Sequence, residues 1–287
     1  MVDKSNKKPD RTVLKAILIA AVAILLIPCL LFGGILCWAW ITDINSNRIA
    51  KRIIDPKAAE YIAQTYPDND FLIKNSYYVF KDNCYRVNVQ SQASQDTHFY
   101  IDYHYKSYEL IQDTYESNVT SGGNTFIRIE DNYSALVQEC LSSASCLQSV
   151  ASGFCRYSEN TDTHELWSPK GLDRNTLILD KHYDVGALGA SYGYLKVTAV
   201  LPKEKVNIDS ALELLTEIDQ LLTDSNIGYY VIEITIVDAV YPDTTAEFKL
   251  YGVHPEDLYR EDSLAYLQDL WAAQEAHRQA IADKWNN

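Results

Sequence analysis

Basic residues are scarce in this chain. Its 287 residues include 25 lysines and arginines against 39 aspartates and glutamates, which gives a formal net charge of −14. A protein that binds nucleic acid or anionic lipid needs a basic footprint on its surface. The composition therefore argues against nucleic acid and against anionic lipid as partners, and the acidic surface is expected to serve mainly for solubility.

Charged residues are absent from Ala16 to Thr42, a run of 27 positions. About 20 apolar residues in a helix cross the hydrocarbon core of a bilayer. A cleaved signal peptide has a shorter apolar core, of about 7–15 residues, and ends at a site of small residues. The end of this run, Ala39-Trp40-Ile41, is bulky instead. Residues 16–42 are therefore predicted to form an uncleaved transmembrane helix.

The residues before this run predict its orientation. The first 15 positions hold five basic residues and two acidic ones: Lys4, Lys7, Lys8, Arg11 and Lys15 with Asp3 and Asp10. An excess of basic residues keeps a flank in the cytoplasm. We therefore expect a single-pass protein of the cell membrane, which contacts membrane lipid through Ala16–Thr42. Residues 1–15 would be a cytoplasmic tail, and the C-terminal portion would be extracellular.

Four of the six cysteines lie beyond the apolar run: Cys84, Cys140, Cys146 and Cys155. An even number of cysteines in an exported protein favours disulfides. If residues 131–150 form one helix, Cys140 and Cys146 lie about 9 Å apart on different faces, too far for a bond. A bond between Cys146 and Cys155, a bond from either to Cys84, and four free thiols all stay open.

The exported part alternates between helical and strand patterns. Residues 55–64 predict a short helix, and residues 71–80, 84–90 and 98–105 predict strands of an antiparallel meander. A helix over 131–151 and a polar loop over 156–175 follow. Later segments predict strands over 194–201, 229–237 and 245–251 and helices over 209–222 and 261–285.

The order of these elements predicts an α+β protein with two small modules. Each module would pack a helix on an antiparallel sheet. The first exported module is expected over residues 43–125 and the second over residues 176–287, including the C-terminal helix. A helix and loop over 126–175 would connect them.

Short aromatic strings in the first module resemble a known family. They are Ala58-Ala59-Glu60-Tyr61, the segment from Tyr77 to Tyr85, and Phe99-Tyr100-Ile101-Asp102-Tyr103. They resemble the N-terminal module of YfjL-like proteins, uncharacterised membrane-anchored proteins of Gram-positive bacteria, and the second half is similar to the C-terminal module of that family. The topology is also similar to cystatin-like and PepSY-like folds. The family implies no catalytic residue, and the inhibitory hairpin of cystatins, Gln-x-Val-x-Gly, is missing.

One segment matches the Gly-x-Ser-x-Gly pattern of serine hydrolases, from Gly189 to Gly193 around Ser191. The hydrolase site needs a strand before the serine and a helix after it. Here a strand is predicted after the serine, so we interpret the segment as a glycine-rich approach to that strand. The acid and base partners of such a site would come from Asp238, Asp243, His254 and His277.

His98, Asp102 and His104 lie on one face of a predicted strand and carry groups that bind zinc or another transition metal. His98 and His104 are six residues apart, about 20 Å along a strand, so the three cannot bind one ion. Asp102 and His104 could do so with ligands from another strand. We expect a solvated outer face instead, and no metal or cofactor.

Six tyrosines of the first module could form an aromatic surface for a glycan or a peptide: Tyr77, Tyr78, Tyr100, Tyr103, Tyr105 and Tyr108. Strands favour tyrosine for packing alone, so we expect these residues in the core.

The sequence assigns no catalytic, cofactor-binding or metal-binding residue. The function that it favours is a non-catalytic binding or sensory module at the bacterial cell envelope, with an envelope protein as a partner and no nucleic acid. One alternative is an envelope enzyme whose site is assembled from distant residues. Another is a scaffold that associates through its membrane helix or through Trp271 and Trp285.

Overall fold

A computed structural model describes residues 33–34, 48–142, 144, 146–154, 171–239 and 247–285. The predicted transmembrane run lies outside the described residues except for Gly33 and Gly34, which are helical. Within the described ranges, no helix is both long enough and apolar enough to cross a membrane. The α+β class is confirmed, because helices accompany two separate four-stranded sheets.

Two compact units make up the chain, and each contains one of the sheets. The first unit comprises Met1–Ala93 and Phe99–Thr114, and the second comprises Ser94–His98 and Tyr115–Asn287. The short segment Ser94–His98 thus interrupts the first unit in sequence and packs with the second.

The first unit is a helix on an antiparallel meander. A π-helical turn over Ala50–Ile54 leads into α1 (Asp55–Thr65), where Pro56 occupies the first turn and its missing N–H costs nothing. The four strands follow in order: β1 (Phe71–Val79), β2 (Cys84–Ser91), β3 (His98–His104) and β4 (Leu110–Asp113). Tyr85, Val87 and Val89 alternate inward along β2, as predicted.

The described part of the second unit contains four α-helices and the other sheet. Its elements in chain order are α2 (Gly123–Leu141), β5 (Leu147–Phe154), α3 (Val185–Tyr192), β6 (Gly193–Leu201), α4 (Ile208–Asp224), β7 (Val231–Asp238), β8 (Glu247–Val253) and α5 (Ser263–Trp285). The strand order is β5-β6-β7-β8. The inner face of the sheet packs against α4, and Leu195, Ile232, Ile234, Leu215 and Ile218 are buried between them.

The second sheet is mixed, and the expectation of an antiparallel sheet was wrong for its central pair. β6 pairs with β7 in parallel, from Tyr194 opposite Val231 to Leu201 opposite Asp238. The outer pairs, β5 with β6 and β7 with β8, are antiparallel. The physical reason is the long helix α4 between β6 and β7. A crossover helix returns the chain to the edge of the sheet at which the preceding strand began, so the next strand runs in the same direction.

The helix predicted over residues 131–151 begins and ends earlier than expected. α2 ends at Leu141, and residues 147–154 form β5. Serine is frequent from Ser142 to Ser152, and serine side chains compete with the helical backbone for hydrogen bonds. Cys146 consequently lies beyond the helix. Cys84, Cys140 and Cys146 are free thiols, and Cys155 lies outside the described residues.

A glutamine side chain covers the exposed edge of β8. Gln274 of α5 is buried, accepts a hydrogen bond from the Tyr251 N–H at 3.1 Å and donates one to the Tyr251 carbonyl at 2.8 Å. An uncovered edge strand offers unpaired backbone groups to other chains. Trp271 of the same helix stacks on Phe248, with ring centroids 5.7 Å apart, so its ring packs on its own sheet.

Replacing Gln274 with leucine is expected to lower the free energy of unfolding by about 1–3 kcal/mol, because both backbone groups of Tyr251 lose their partner. Urea titration of the full chain measures the change. Gln279→Leu is the matched control, since Gln279 is exposed and bonds only Asp283 within the same helix. Equal midpoints for the two variants would contradict the role assigned to Gln274.

Candidate functional site

The Gly-x-Ser-x-Gly segment does not have the geometry of a hydrolase elbow. α3 ends at Tyr192 and β6 begins at Gly193, so a helix precedes Ser191 and a strand follows it. This order is the reverse of the one that the chemistry needs, and the predicted strand after the serine is confirmed. His254 Nδ1 lies 2.8 Å from the Tyr230 carbonyl oxygen, and Asp238 is buried. Asp243 lies outside the described residues.

The glycines of this segment allow close packing around Tyr133. A Cβ atom at Gly189 would overlap the Gly228 carbonyl oxygen and lie 2.6 Å from the Tyr133 ring. A Cβ atom at Gly193 would lie 2.5 Å from the Tyr133 hydroxyl oxygen. That hydroxyl donates a hydrogen bond to the Gly228 carbonyl at 2.9 Å, and Tyr133 is fully buried. The glycine spacing therefore serves the packing of α2 and α3.

Asp102 forms an ion pair instead of lying on a solvated face, so the expected exposure was wrong for this residue. It is 5% exposed and accepts two hydrogen bonds from the Arg86 guanidinium, at 2.9 and 2.8 Å. Arg86 also lies over the Tyr100 ring, 3.8 Å from its centroid. The hydrogen bond to Asp102 raises the pKa of Arg86. Within the described ranges, no three His, Cys, Asp or Glu residues are grouped to hold a metal ion.

Cys84 lies beside this ion pair as a buried, protonated thiol. Burial and the charge of Asp102 raise its pKa to about 11. With this pKa, about one Cys84 thiol in a thousand is ionised at pH 8. Cys84 is therefore expected to react slowly, because the thiolate is the reactive form. We expect an alkylating reagent at pH 8 to modify Cys84 much more slowly than half-buried Cys146, as measured by peptide mass spectrometry over time. Equal rates in the native chain would contradict this assignment.

Two carboxylates each accept hydrogen bonds from two tyrosines. In the first unit, Asp113 accepts from Tyr61 at 2.9 Å and from Tyr66 at 2.8 Å. In the second unit, Asp219 accepts from Tyr229 at 2.9 Å and from Tyr259 at 2.5 Å.

The two tyrosine hydroxyls that bind Asp219 stay protonated. Burial and the nearby Asp219 charge raise the pKa of Tyr229, and the hydrogen bond to Asp219 raises the pKa of Tyr259 to about 12. A tyrosine that holds its proton so firmly is a hydrogen-bond donor, not a general base. The pairs therefore stabilise the fold.

A polar cavity lies beside the start of α2 in the second unit. Its volume is about 470 Å³, within the usual range for small-ligand sites. Asn118, Asn175 and Ser117 contribute amide and hydroxyl groups to the lining, and Asp173 and Arg174 contribute one charge of each sign. Phe126, Ile127 and Leu172 add apolar surface. The cavity can thus hydrogen-bond a ligand and cover an apolar face of it.

Two backbone features form this cavity. Gly122 has a left-handed conformation (φ +70°), and a Cβ atom there would overlap the Arg174 carbonyl oxygen. Only glycine therefore lets the segment around Arg174 approach the start of α2. Asp173 caps the short helical turn Arg174–Thr176 by accepting the Asn175 N–H at 3.0 Å.

An ion pair between buried Asp96 and Arg128 lies next to the cavity, beside the start of α2. Asp96 is 1% exposed and accepts hydrogen bonds from Arg128 at 2.6 and 2.8 Å, from the Thr125 hydroxyl at 2.8 Å and from the Asp180 N–H at 2.9 Å. Asn124, which lines the cavity, donates to the Asp96 carbonyl at 2.8 Å. The segment Ser94–His98 is thereby held against α2.

One end of the first unit carries exposed aromatic and basic side chains, and we call it the aromatic end. Phe80, in the turn between β1 and β2, is 77% exposed, and Tyr77 is 38% exposed. Lys81 and Lys106 are exposed in the two turns of this end. Of the six tyrosines expected in the core, Tyr103 is buried, Tyr77 is exposed and the other four are half-buried.

Sequence reasoning missed the cavity and the aromatic end. The cavity joins residues 117–127 to residues 172–175, and the latter were interpreted only as loop. The adjacent Gly122 and Gly123 are the one local signal for it. The aromatic end contains two turns, 80–83 and 105–109. They are distant in sequence, so no local sequence pattern predicts that they lie at the same end of the unit.

Comparison with known proteins finds a family model that is similar to part of the chain. Among curated proteins, none matches. A crystal structure of a DUF5037 family protein from Ruminococcus gnavus is similar at 12% sequence identity, over 63% of this chain and 73% of that one, with a TM-score of 0.17. The family model of the YfjL-like N-terminal domain matches residues 14–113. The predicted resemblance is thus confirmed over these residues, and the N-terminal part of this chain is similar to the YfjL-like family.

Proposed function

We propose that this chain is a single-pass, membrane-anchored binding module of the bacterial cell envelope, and that it is not an enzyme. Residues 43–287 lie outside the cytoplasm in this proposal. The first unit, with one helix followed by a four-stranded meander, supports a cystatin-like first module.

The anchor is supported by the uncharged run from Ala16 to Thr42 and by its basic N-terminal flank. The matched family range, residues 14–113, includes the whole of this run. The match to the family model therefore spans both the apolar run and the first sheet.

Binding is supported by one observation above all, the polar cavity beside α2. Its amides, its hydroxyl and its two opposite charges suit a ligand rich in hydrogen-bonding groups, and Ile127, which is 50% exposed at the cavity, suits an apolar face of that ligand. In the cell envelope, sugars and peptides of the wall combine these features. A wall glycan, a stem peptide or the end of an envelope protein is the ligand class that we assign to the cavity.

Saturation-transfer NMR of the full chain in detergent micelles tests this assignment. The probe is a digest of peptidoglycan that contains both free glycan and free stem peptides. We expect transfer to one of the two classes, and we expect Arg174→Ala with Asn175→Ala to remove it. Arg260→Ala is the matched control, because Arg260 is exposed and pairs with Asp262 away from the cavity.

Two results would overturn the proposal. Signals that survive the double variant would exclude the cavity as the binding site. New resonances that accumulate with time would show turnover of the probe and favour an envelope enzyme instead.

A further inference from the structure

We propose that the aromatic end of the first unit rests on the membrane surface and contacts anionic lipid headgroups. This inference depends on the proposed anchor, and it adds a second lipid contact made by the folded unit itself.

The predicted transmembrane helix precedes the first unit in sequence, so the start of the unit is tethered to it by a short linker. That helix is predicted to end at Thr42, and Arg48 is the first described residue after it. The five residues between them span at most roughly 18 Å when extended. In this proposal Arg48 therefore lies within about this distance of the bilayer surface, and the helical segment that begins the first unit follows it directly.

Two contacts fix which strand ends lie at the start of α1. Lys57, in the first turn of α1, donates a hydrogen bond to the Tyr108 carbonyl at 2.8 Å, in the turn between β3 and β4. Tyr66, at the other end of α1, packs its ring 5.4 Å from that of Phe71, where β1 begins. β1 therefore ends beside the start of α1. The turn at Phe80 lies at the same end of the unit as the turn at Tyr108.

The side chains of this end have the chemistry of a membrane interface. Phe80 is 77% exposed, Tyr77 38% and Ile53 37%. Exposed aromatic residues favour the depth of the lipid headgroups, where the ring can leave water. A phenylalanine this exposed in a turn lacks a packing role within its own unit.

Basic residues outnumber acidic ones at this end of the first unit. Six of them are exposed at this end, against three acidic residues, of which Asp82 and Glu109 are exposed and Asp55 is half-buried. The six are Arg48, Lys51, Arg52, Lys57, Lys81 and Lys106. This end is basic although the chain as a whole has a net charge of −14. A local basic footprint attracts anionic headgroups within a Debye length of the surface.

The opposite end of the unit has the opposite charge. Its turn between α1 and β1 carries exposed Asp68 and Asp70, and Leu72 is the exposed apolar residue there, at 48%. An anionic surface would repel this end and attract the aromatic end. The charge asymmetry therefore orients the unit with the aromatic end toward the bilayer.

Site-specific photo-crosslinking of the full chain tests the inference. The chain is reconstituted in vesicles of phosphatidylethanolamine and phosphatidylglycerol, and p-benzoylphenylalanine replaces Phe80, Leu72 or Leu30 in separate preparations. Leu30 lies within the predicted span and reports the anchor. We expect lipid adducts at positions 80 and 30, and few at position 72.

The charge dependence gives a second measurement. Lys81→Gln is introduced into the chain that carries p-benzoylphenylalanine at position 80. The yield of lipid adducts is expected to fall by up to about fivefold, because each basic residue near an anionic surface strengthens binding to it by about this factor. Vesicles without phosphatidylglycerol should lower it further.

The outcomes separate this inference from the anchor. Adducts at position 30 with equal yields at positions 80 and 72 would overturn the surface contact and leave the anchor in place. An absence of adducts at position 30 would overturn both.

Discussion

Replacing Asp96 with asparagine is expected to lower the free energy of unfolding by about 3–5 kcal/mol, because it leaves Arg128 without the carboxylate that compensates its charge. Asp96 is 1% exposed and accepts hydrogen bonds from Arg128, from Thr125 and from the Asp180 N–H. The change acts on three segments at once, since the carboxylate joins Ser94–His98 to α2 and to residue 180. Urea titration of the full chain measures it.

The exposed ion pair of Arg260 and Asp262 is the matched control. Its Nε–Oδ1 distance is 3.0 Å, but both side chains are largely in solvent. Exposed pairs contribute little to stability, so Asp262→Asn should leave the urea midpoint unchanged. Similar midpoints for Asp96→Asn and Asp262→Asn would contradict the importance of the buried pair.

The same pair predicts a pH dependence. Burial raises the pKa of Asp96, but hydrogen bonds from Arg128 and from the Asp180 N–H outweigh burial and hold the pKa below its ordinary value. A carboxyl with a lowered folded-state pKa adds stability above its ordinary pKa and loses it as the pH falls through the lowered value. The free energy of unfolding of Asp96→Asn should therefore fall less steeply at acidic pH than that of the original chain. Equal pH dependence of the two chains at acidic pH would exclude this contribution of Asp96.

Replacing Gly189 with alanine is expected to destabilise the second unit by about 3 kcal/mol, at the upper end for overpacking a core. The new Cβ atom would overlap the Gly228 carbonyl oxygen and press on the ring of Tyr133, both of which are held in place. Tyr133 cannot rotate away, because its hydroxyl donates to Gly228 and its ring stacks on Phe154 at 4.7 Å. Thermal unfolding of the full chain measures the loss.

Gly153→Ala controls for the loss of a glycine. Its Cβ atom would meet the Glu130 carboxylate oxygen at 2.9 Å, the far end of a flexible side chain that can move. We expect a much smaller change there. Ser191→Ala should leave stability unaltered, since Ser191 is exposed at the end of α3. A similar loss in all three variants would refute the packing role of Gly189.

Local patterns in the sequence identify most of the elements. Alternation of apolar and polar residues locates β2, β6 and β7, and helical periodicity locates α4, because each pattern depends only on neighbouring residues. The direction in which strands pair does not depend on neighbours alone. The parallel pairing of β6 with β7 was missed for this reason. The strand at 147–154 was missed because the predicted helix was extended to residue 151.

The sites are harder to predict, because their residues are distant in sequence. Asp102 was expected in solvent, but Arg86 on the neighbouring strand pairs with it and allows its burial. The hydrogen bond of Tyr61 to Asp113 spans 52 positions, and that of Tyr259 to Asp219 spans 40. The net charge is a sum over the whole chain. A chain that is acidic in total can still have a basic region, and the basic aromatic end was therefore not predicted.

Protease accessibility in protoplasts tests whether the chain is an anchored and exported module. Cells that carry the full chain with an N-terminal epitope are converted to protoplasts and treated with protease. We expect that the chain stays in the membrane after a carbonate wash, that residues 48–287 are digested, and that the epitope is protected. Leu25→Arg with Leu30→Arg should release the chain from the membrane. A full-length chain that carbonate extracts, or that protease leaves intact in protoplasts, would exclude an anchored and exported module.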